Sequence, residues 1–192
     1  CLSSSILSFS WANAKQTNQK TQSTASGDYG SVQIIDGWKT EAKNYQIALL
    51  FLLKPNWKTY WRNPGQSGLE PLFDWSRSTN IADVNVQWPQ PEIFNNDEVI
   101  TYGFKNELIL PIVIKPTKFD KSINIDLKLD FGVCSDICIP ISASLSLLNI
   151  GNGAMNEISK IEKVMEKIPT TITREQKKYI NCKINLKNKI IT

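Results

Sequence analysis

In the segment SINIDLKLDF, residues 122–131, Ile123, Ile125, Leu127, Leu129 and Phe131 take every second position, with Asn124, Asp126, Lys128 and Asp130 between them. A period of two sends the apolar side chains to one face of an extended strand, so the strand must bury that face and leave the other in water. The pattern recurs. DVNVQW at 83–88 puts Val84, Val86 and Trp88 on one face, and ISASLSLLNI at 141–150 alternates again. YQIALLFLLK at 45–54 is apolar enough for a central strand, and ELILPIVIKP at 107–116 is a second long run, whose Pro111 fits an edge or a bulge. SVQIIDGW, NWKTYW and PLFDW supply shorter runs, punctuated by the turn-rich NPGQSG at 63–68 and by PQPE at 89–92. Roughly seven to nine half-buried strands with no helical period among them are best satisfied by two sheets packed face to face. The expected fold is all-β, an immunoglobulin-like β-sandwich over residues 30–150.

After Gly153 the period changes. Ile158, Ile161, Met165 and Ile168 recur at three and four, which predicts an amphipathic helix ended by Pro169. Residues 151–192 are therefore read as a short α-helical C-terminal extension, with a second short helix near 173–180 and a terminal strand in CKINLKNKIIT. That strand needs a partner, so it either returns to the sandwich or opens a further domain.

The other end reads as export machinery. Residues 2–14 are uncharged and mostly apolar or small, and they finish on Ala12-Asn13-Ala14, an A-x-A pattern suited to signal peptidase. Residues 1–14 are expected to be the remnant of a signal peptide, and the polar stretch 15–29 a flexible leader. A lipidated Cys1 is disfavoured, because an apolar run ending in A-x-A precedes cleavage. The mature chain is expected in an oxidising compartment. No later segment reaches the ~18 consecutive apolar residues of a membrane span, so it is expected to be soluble there.

Composition then narrows the chemistry. The chain has no histidine, which removes the Ser-His-Asp triad, the Cys-His pair and imidazole metal ligands. Net charge is +4, but the basic residues are scattered, and REQKKY at 174–179 is too small a cluster to argue for nucleic acid. Four cysteines remain, and Cys134 and Cys138 stand close together in LDFGVCSDICIP. Four residues apart on an extended strand is ~13 Å, whereas a disulfide tolerates about 7 Å between Cα atoms. If the two pair, the chain must turn sharply at Ser135 and Asp136, and the flanking strands become a hairpin with the sulfurs at its tip.

Three readings of this pair stay open. A bridge closing so small a loop removes little entropy from the unfolded chain, yet most cysteine pairs in exported proteins are staples. Metal is disfavoured: a copper loop of this spacing also needs His and usually Met, and Met155 and Met165 both fall on the predicted helix. A redox pair is the third reading. Asp136 between the thiols opposes a strongly depressed thiol pKa, and no helix N-terminus follows to supply one.

Three longer segments carry a resemblance. LKPNWKTYWRNPGQSGLEPLFDWSRSTNIADVNVQWPQPE, TYGFKNELILPIVI and LDFGVCSDICIP, in this order, resemble the amino-terminal domain of the thiol:disulfide interchange protein DsbD, particularly its ScsB-type version. The resemblance covers about residues 30–150 and implies a periplasmic domain that shuttles reducing equivalents. A membrane-embedded thiol electron donor would reduce the pair, which would then reduce periplasmic thioredoxin-fold proteins. No nucleic acid, metal or small-molecule cofactor is implied.

By the same resemblance Cys138 attacks the partner and Cys134 resolves. Tyr102 and Gly103 match a loop that caps the cysteines, with Thr101 where the family has Phe, and Tyr60 matches an aromatic position beside the pair. Asp97 and Glu98 are candidates for acidic residues near the cap. DsbD itself has five residues between its cysteines where this chain has three, and its transmembrane and thioredoxin-like domains are not in these 192 residues. Trp57, Trp61 and Trp75 are expected in the core, Arg62 on the surface, and Cys182 as a thiol without a mate. The rival function is a non-catalytic binding or assembly module stapled by Cys134–Cys138.

Overall fold

The computed structural model describes residues 22–96, 99–170, 175, 184–185 and 190–191. The chain order is β1 (Thr24–Gly27), β2 (Gly30–Lys39), β3 (Tyr45–Leu53), β4 (Lys58–Gly65), β5 (Leu72–Asp74) and β6 (Ile81–Val86). β7 (Glu92–Asn96), β8 (Val99–Lys105), β9 (Glu107–Pro116), β10 (Ile125–Cys134) and β11 (Cys138–Leu147) follow, then α1 (Met155–Met165), β12 (Ile184–Asn185) and β13 (Ile190–Ile191). One antiparallel sheet has the order β1-β2-β3-β9-β6. The other runs β11-β10-β4-β8-β7, with β5 on β10 beside the β4 contact.

The two sheets form the expected immunoglobulin-like sandwich. Its core is made by the apolar faces that the alternation marks. Ile123, Ile125, Leu127, Leu129 and Phe131 are all buried, facing Val32, Ile47, Leu49, Leu110 and Ile112 from the first sheet. Trp57, Trp61 and Trp75 pack against that core as expected, and so do Val84, Val86 and Trp88. Arg62 is on the surface, its guanidinium 5.1 Å from the Trp61 ring centroid.

α1 covers the outside of the first sheet. Ile161 is fully buried against Ile35, Ala48, Leu50 and Ile109. The Asp36 carboxylate holds the approach to this helix by accepting N–H bonds from Gly151 at 2.7 Å and Asn152 at 2.9 Å.

Several expectations need correction. The leader ends earlier than expected, because Thr24–Gly27 pairs with β2 and Tyr29 is buried. β7 and β8 form a hairpin in a region where no strands were expected. Pro111 lies at neither an edge nor a bulge. β9 sits between β3 and β6, and the Pro111 carbonyl accepts from Gln87 N–H beyond the last β6 pair, so the missing N–H faces the β6 side where the ladder has ended. In the tail, β12 and β13 pair with each other. Residues 1–14, expected as a signal-peptide remnant, the expected helix near 173–180 except for residue 175, and Cys182, Asp97 and Glu98 lie outside the described residues. Among the described residues no helix is long and apolar enough to cross a membrane.

Candidate functional site

β10 and β11 are joined by Ser135, Asp136 and Ile137, and their ladder runs without a break from Ile125↔Leu147 to Cys134↔Cys138. The strands therefore continue past the expected ends, through Gly132 and Pro140, up to the cysteines themselves. Cys134 and Cys138 face each other across the last rung with Cα atoms 4.1 Å apart and their sulfurs joined in a disulfide. Alternation decides which face they occupy. Val133, one residue away, is fully buried in the core, so Cys134 and Cys138 point to the opposite, outer face of the second sheet. The bond sits at the apex of a hairpin and outside the sandwich.

The two sulfurs have unequal surroundings. Cys134 is 6% exposed, whereas Cys138 is open to solvent. The Tyr60 hydroxyl lies 3.0 Å from Cys138 Sγ. A disulfide sulfur carries no hydrogen, so the hydroxyl donates. Tyr60 reaches this far because Gly132, its neighbour on β10, has no side chain. A Cβ added at Gly132 would stand 3.0 Å from Tyr60 Cδ2 and 2.7 Å from Leu69 Cβ. On the ring's other edge, a Cβ at Gly68 would stand 2.7 Å from Tyr60 Cδ1. Segment 66–70 thus roofs Tyr60, which is only 2% exposed although it lies on the outer face. Burial pushes its phenol above the ordinary tyrosine range and keeps the hydroxyl a donor.

The roof and the turn surround Cys138 with apolar surface. Ile137 is 71% and Leu72 60% exposed, and Leu69 is also solvent-facing. Leu69, Leu72, Phe131, Pro140 and Ile141 line a shallow groove of about 310 Å³ beside the hairpin. Large apolar side chains clustered in water mark a surface built for contact.

Thr101, Tyr102 and Gly103 lie in β8 and not in a loop above the sulfurs. Gly103 pairs with Tyr60 on one side and Glu92 on the other, and the Thr59 carbonyl leaves no room for a Cβ there. Thr101 is buried between Gly65 and Phe94. Tyr102 points to the face away from the disulfide, edge-on to Trp61 with centroids 6.3 Å apart. Packing is the role this placement gives it.

One residue escaped the sequence reading. Lys58 stands directly across from Cys134, and Lys105 directly across from Lys58. Both ammoniums lie over the Phe94 ring, Lys58 Nζ at 4.9 Å and Lys105 Nζ at 4.7 Å from its centroid. Burial, and then the neighbouring Lys105 charge, hold Lys58 below the ordinary lysine range. A period of two puts Lys58 on the face of Tyr60, but its place across from Cys134 comes from the long-range pairing of β4 with β10.

Residues 31–150 match the family described as thiol:disulfide interchange protein DsbD, N-terminal, over more than half of the chain. The chain belongs to this family. Its fold is similar to the N-terminal periplasmic domain of ScsB from Proteus mirabilis, with a TM-score of 0.64 and 27% identity over 79% of this chain and 61% of that one. The chain thus spans about three-fifths of the length of that relative. A second solved structure, the Neisseria meningitidis DsbD n-terminal domain in the reduced form, aligns at 10% identity and a TM-score of 0.38, covering 62% of this chain and 86% of that one. No curated protein matches the sequence. The DsbD family and the paired cysteines together support thiol–disulfide exchange as the chemistry of this site.

Proposed function

We propose that this DsbD-family domain passes reducing equivalents through Cys134 and Cys138 to thioredoxin-fold proteins in the periplasm, and receives them from a membrane-embedded thiol donor. The observation that carries this reading is the solvent-exposed Cys138, held by a buried Tyr60 and flanked by exposed apolar residues, at a hairpin tip on the face of the sheet away from the core.

In the dithiol state Cys138 is the accessible sulfur and makes the first attack. Its thiolate displaces one sulfur of a partner disulfide, which leaves with the electron pair and takes up a proton. Cys134 then gives up its proton to solvent and attacks Cys138 Sγ, the mixed disulfide breaks, and the partner's second sulfur departs as a thiolate that takes up a proton. Two electrons and two protons have moved to the partner, and the Cys134–Cys138 bond is restored. A donor dithiol reverses the sequence on the domain. The Tyr60 hydroxyl fits this course because it donates to Cys138 in the disulfide and more strongly to a Cys138 thiolate.

Replacing Cys134 with Ser removes the resolving thiol, so the first attack should accumulate a mixed disulfide on Cys138. Mass spectrometry of trapped periplasmic complexes should identify thioredoxin-fold proteins, and their absence would remove the proposal. A reduction potential below about −300 mV would instead mark a stapled, non-catalytic assembly module.

A further inference from the structure

A positive charge stands directly across the ladder from the cysteine hairpin, on the neighbouring strand. Cys138, Cys134, Lys58 and Lys105 oppose one another in an unbroken row across β11, β10, β4 and β8. Tyr60 and Lys58 share a face, Tyr60 reaches Cys138, and so the Lys58 side chain leaves the sheet on the same side as both sulfurs. Directly opposed side chains on one face have Cβ atoms roughly 4.5–5.5 Å apart, a gap that a four-carbon stem spans. The Lys58 stem is therefore long enough to carry Nζ to Cys134 Sγ by side-chain rotation.

In the disulfide state neither sulfur is charged, and the Lys58 ammonium rests on Phe94, a site it shares with Lys105. Two ammoniums on one ring repel each other. A thiolate at position 134 would offer Lys58 an opposite charge, and its departure would leave the ring to Lys105 alone. Reduction of the pair therefore changes where this cation is best placed.

We propose that Lys58 is the positioning residue that holds Cys134 as a thiolate for the resolving half of exchange, moving from Phe94 to the sulfur once the pair is reduced. This rests on the exchange reading given above. In the mixed disulfide the Cys134 thiol loses its proton to solvent, and its sulfur attacks Cys138 Sγ. The bond from Cys138 to the partner breaks, and the partner sulfur leaves with the electron pair. Lys58 supplies charge throughout and neither gains nor loses a proton.

Other charged groups around Cys134 set the background against which Lys58 acts. Asp136 in the turn opposes a thiolate, and Glu70 of the roof segment lines the groove beside Asp130 and Pro140. Asp130 is a full four residues down β10 and is paired with Lys128 at 3.4 Å. Tyr60 is committed to Cys138. Lys105 remains one strand behind Lys58. The Lys58 charge thus offsets the carboxylate that the turn places between the cysteines.

The test is the ionisation of Cys134 in the full chain carrying Cys1→Ser, Cys138→Ser and Cys182→Ser, which leaves Cys134 as its one thiol, followed by ultraviolet thiolate absorbance against pH. Adding Lys58→Met should move the titration midpoint up by about one pH unit, with roughly tenfold less thiolate at neutral pH. Lys58→Arg should restore the parent midpoint, because charge and not shape is at issue. Lys58→Gln repeats the comparison should Met disturb the packing on Phe94. Superimposable curves for Lys58 and its neutral variants in folded protein would overturn the proposal. The measurement needs no partner, so a failure of exchange with thioredoxin-fold proteins and a failure of this inference are read separately.

Discussion

Tyr60 does more for a reduced Cys138 than for an oxidised one. To the disulfide its hydroxyl donates to a neutral sulfur. To a thiolate the same bond is charge-assisted and roughly twice as strong. Because burial pushes its phenol up, Tyr60 remains a donor through neutral pH and beyond the point where an ordinary tyrosine ionises. Tyr60→Phe in a Cys134→Ser background should slow alkylation of Cys138 by roughly tenfold at neutral pH, the size of one such hydrogen bond at about 1.5 kcal/mol. Iodoacetamide kinetics measure this, and an unchanged rate would reduce the hydroxyl to a space-filler. How Tyr60 reaches the sulfur was only half legible in the sequence. The family pattern singles out the residue, but its path runs over Gly132, which is 72 positions away and adjacent only because β4 meets the end of β10. Lys58 was hidden for the same reason: nothing local in NWKTYW says that its neighbour across the ladder is a cysteine.

At the scale of elements, α1 and the hairpin are independent attachments to the sandwich. Ile161 fills a satellite cluster with Ile35, Ala48, Leu50 and Ile109 on the outside of the first sheet, while the cysteines stand on the outside of the second. Ile161→Ala should destabilise the domain by about 2–4 kcal/mol in urea unfolding, the usual result of emptying a tight apolar site, without changing the rate at which the disulfide is reduced. A change in that rate would mean that the two faces communicate. Elements with unbroken alternation, such as β10, could be read directly from the sequence, and so could α1 from its period of three and four. β8 could not, since Gly103 interrupts its outer face and Tyr102 looks like a cap residue until its partner Trp61 is seen. β1 was missed because TASG has little to bury, and its place in the sheet comes from the backbone ladder with β2.

For the molecule as a whole, the disulfide closes a loop of only a few residues at the rim, and the core lies on the other side of β10. Replacing both Cys134 and Cys138 with Ser should cost no more than about 2 kcal/mol by the chain-entropy estimate, measured by chemical denaturation. A double variant that fails to fold would make the bond a staple. The same architecture has a kinetic side. Tyr60 is wedged between two glycines, with Gly68 against one edge of its ring and Gly132 against the other. Neither flank has room for so much as a methyl group, so turning of the ring about its own axis is expected to need give on one side. Since β10 is held in its ladder with β11, the segment carrying Gly68 is the side expected to yield, and the frequency of aromatic flipping at position 60 becomes a built-in clock for the breathing of the cover over Tyr60.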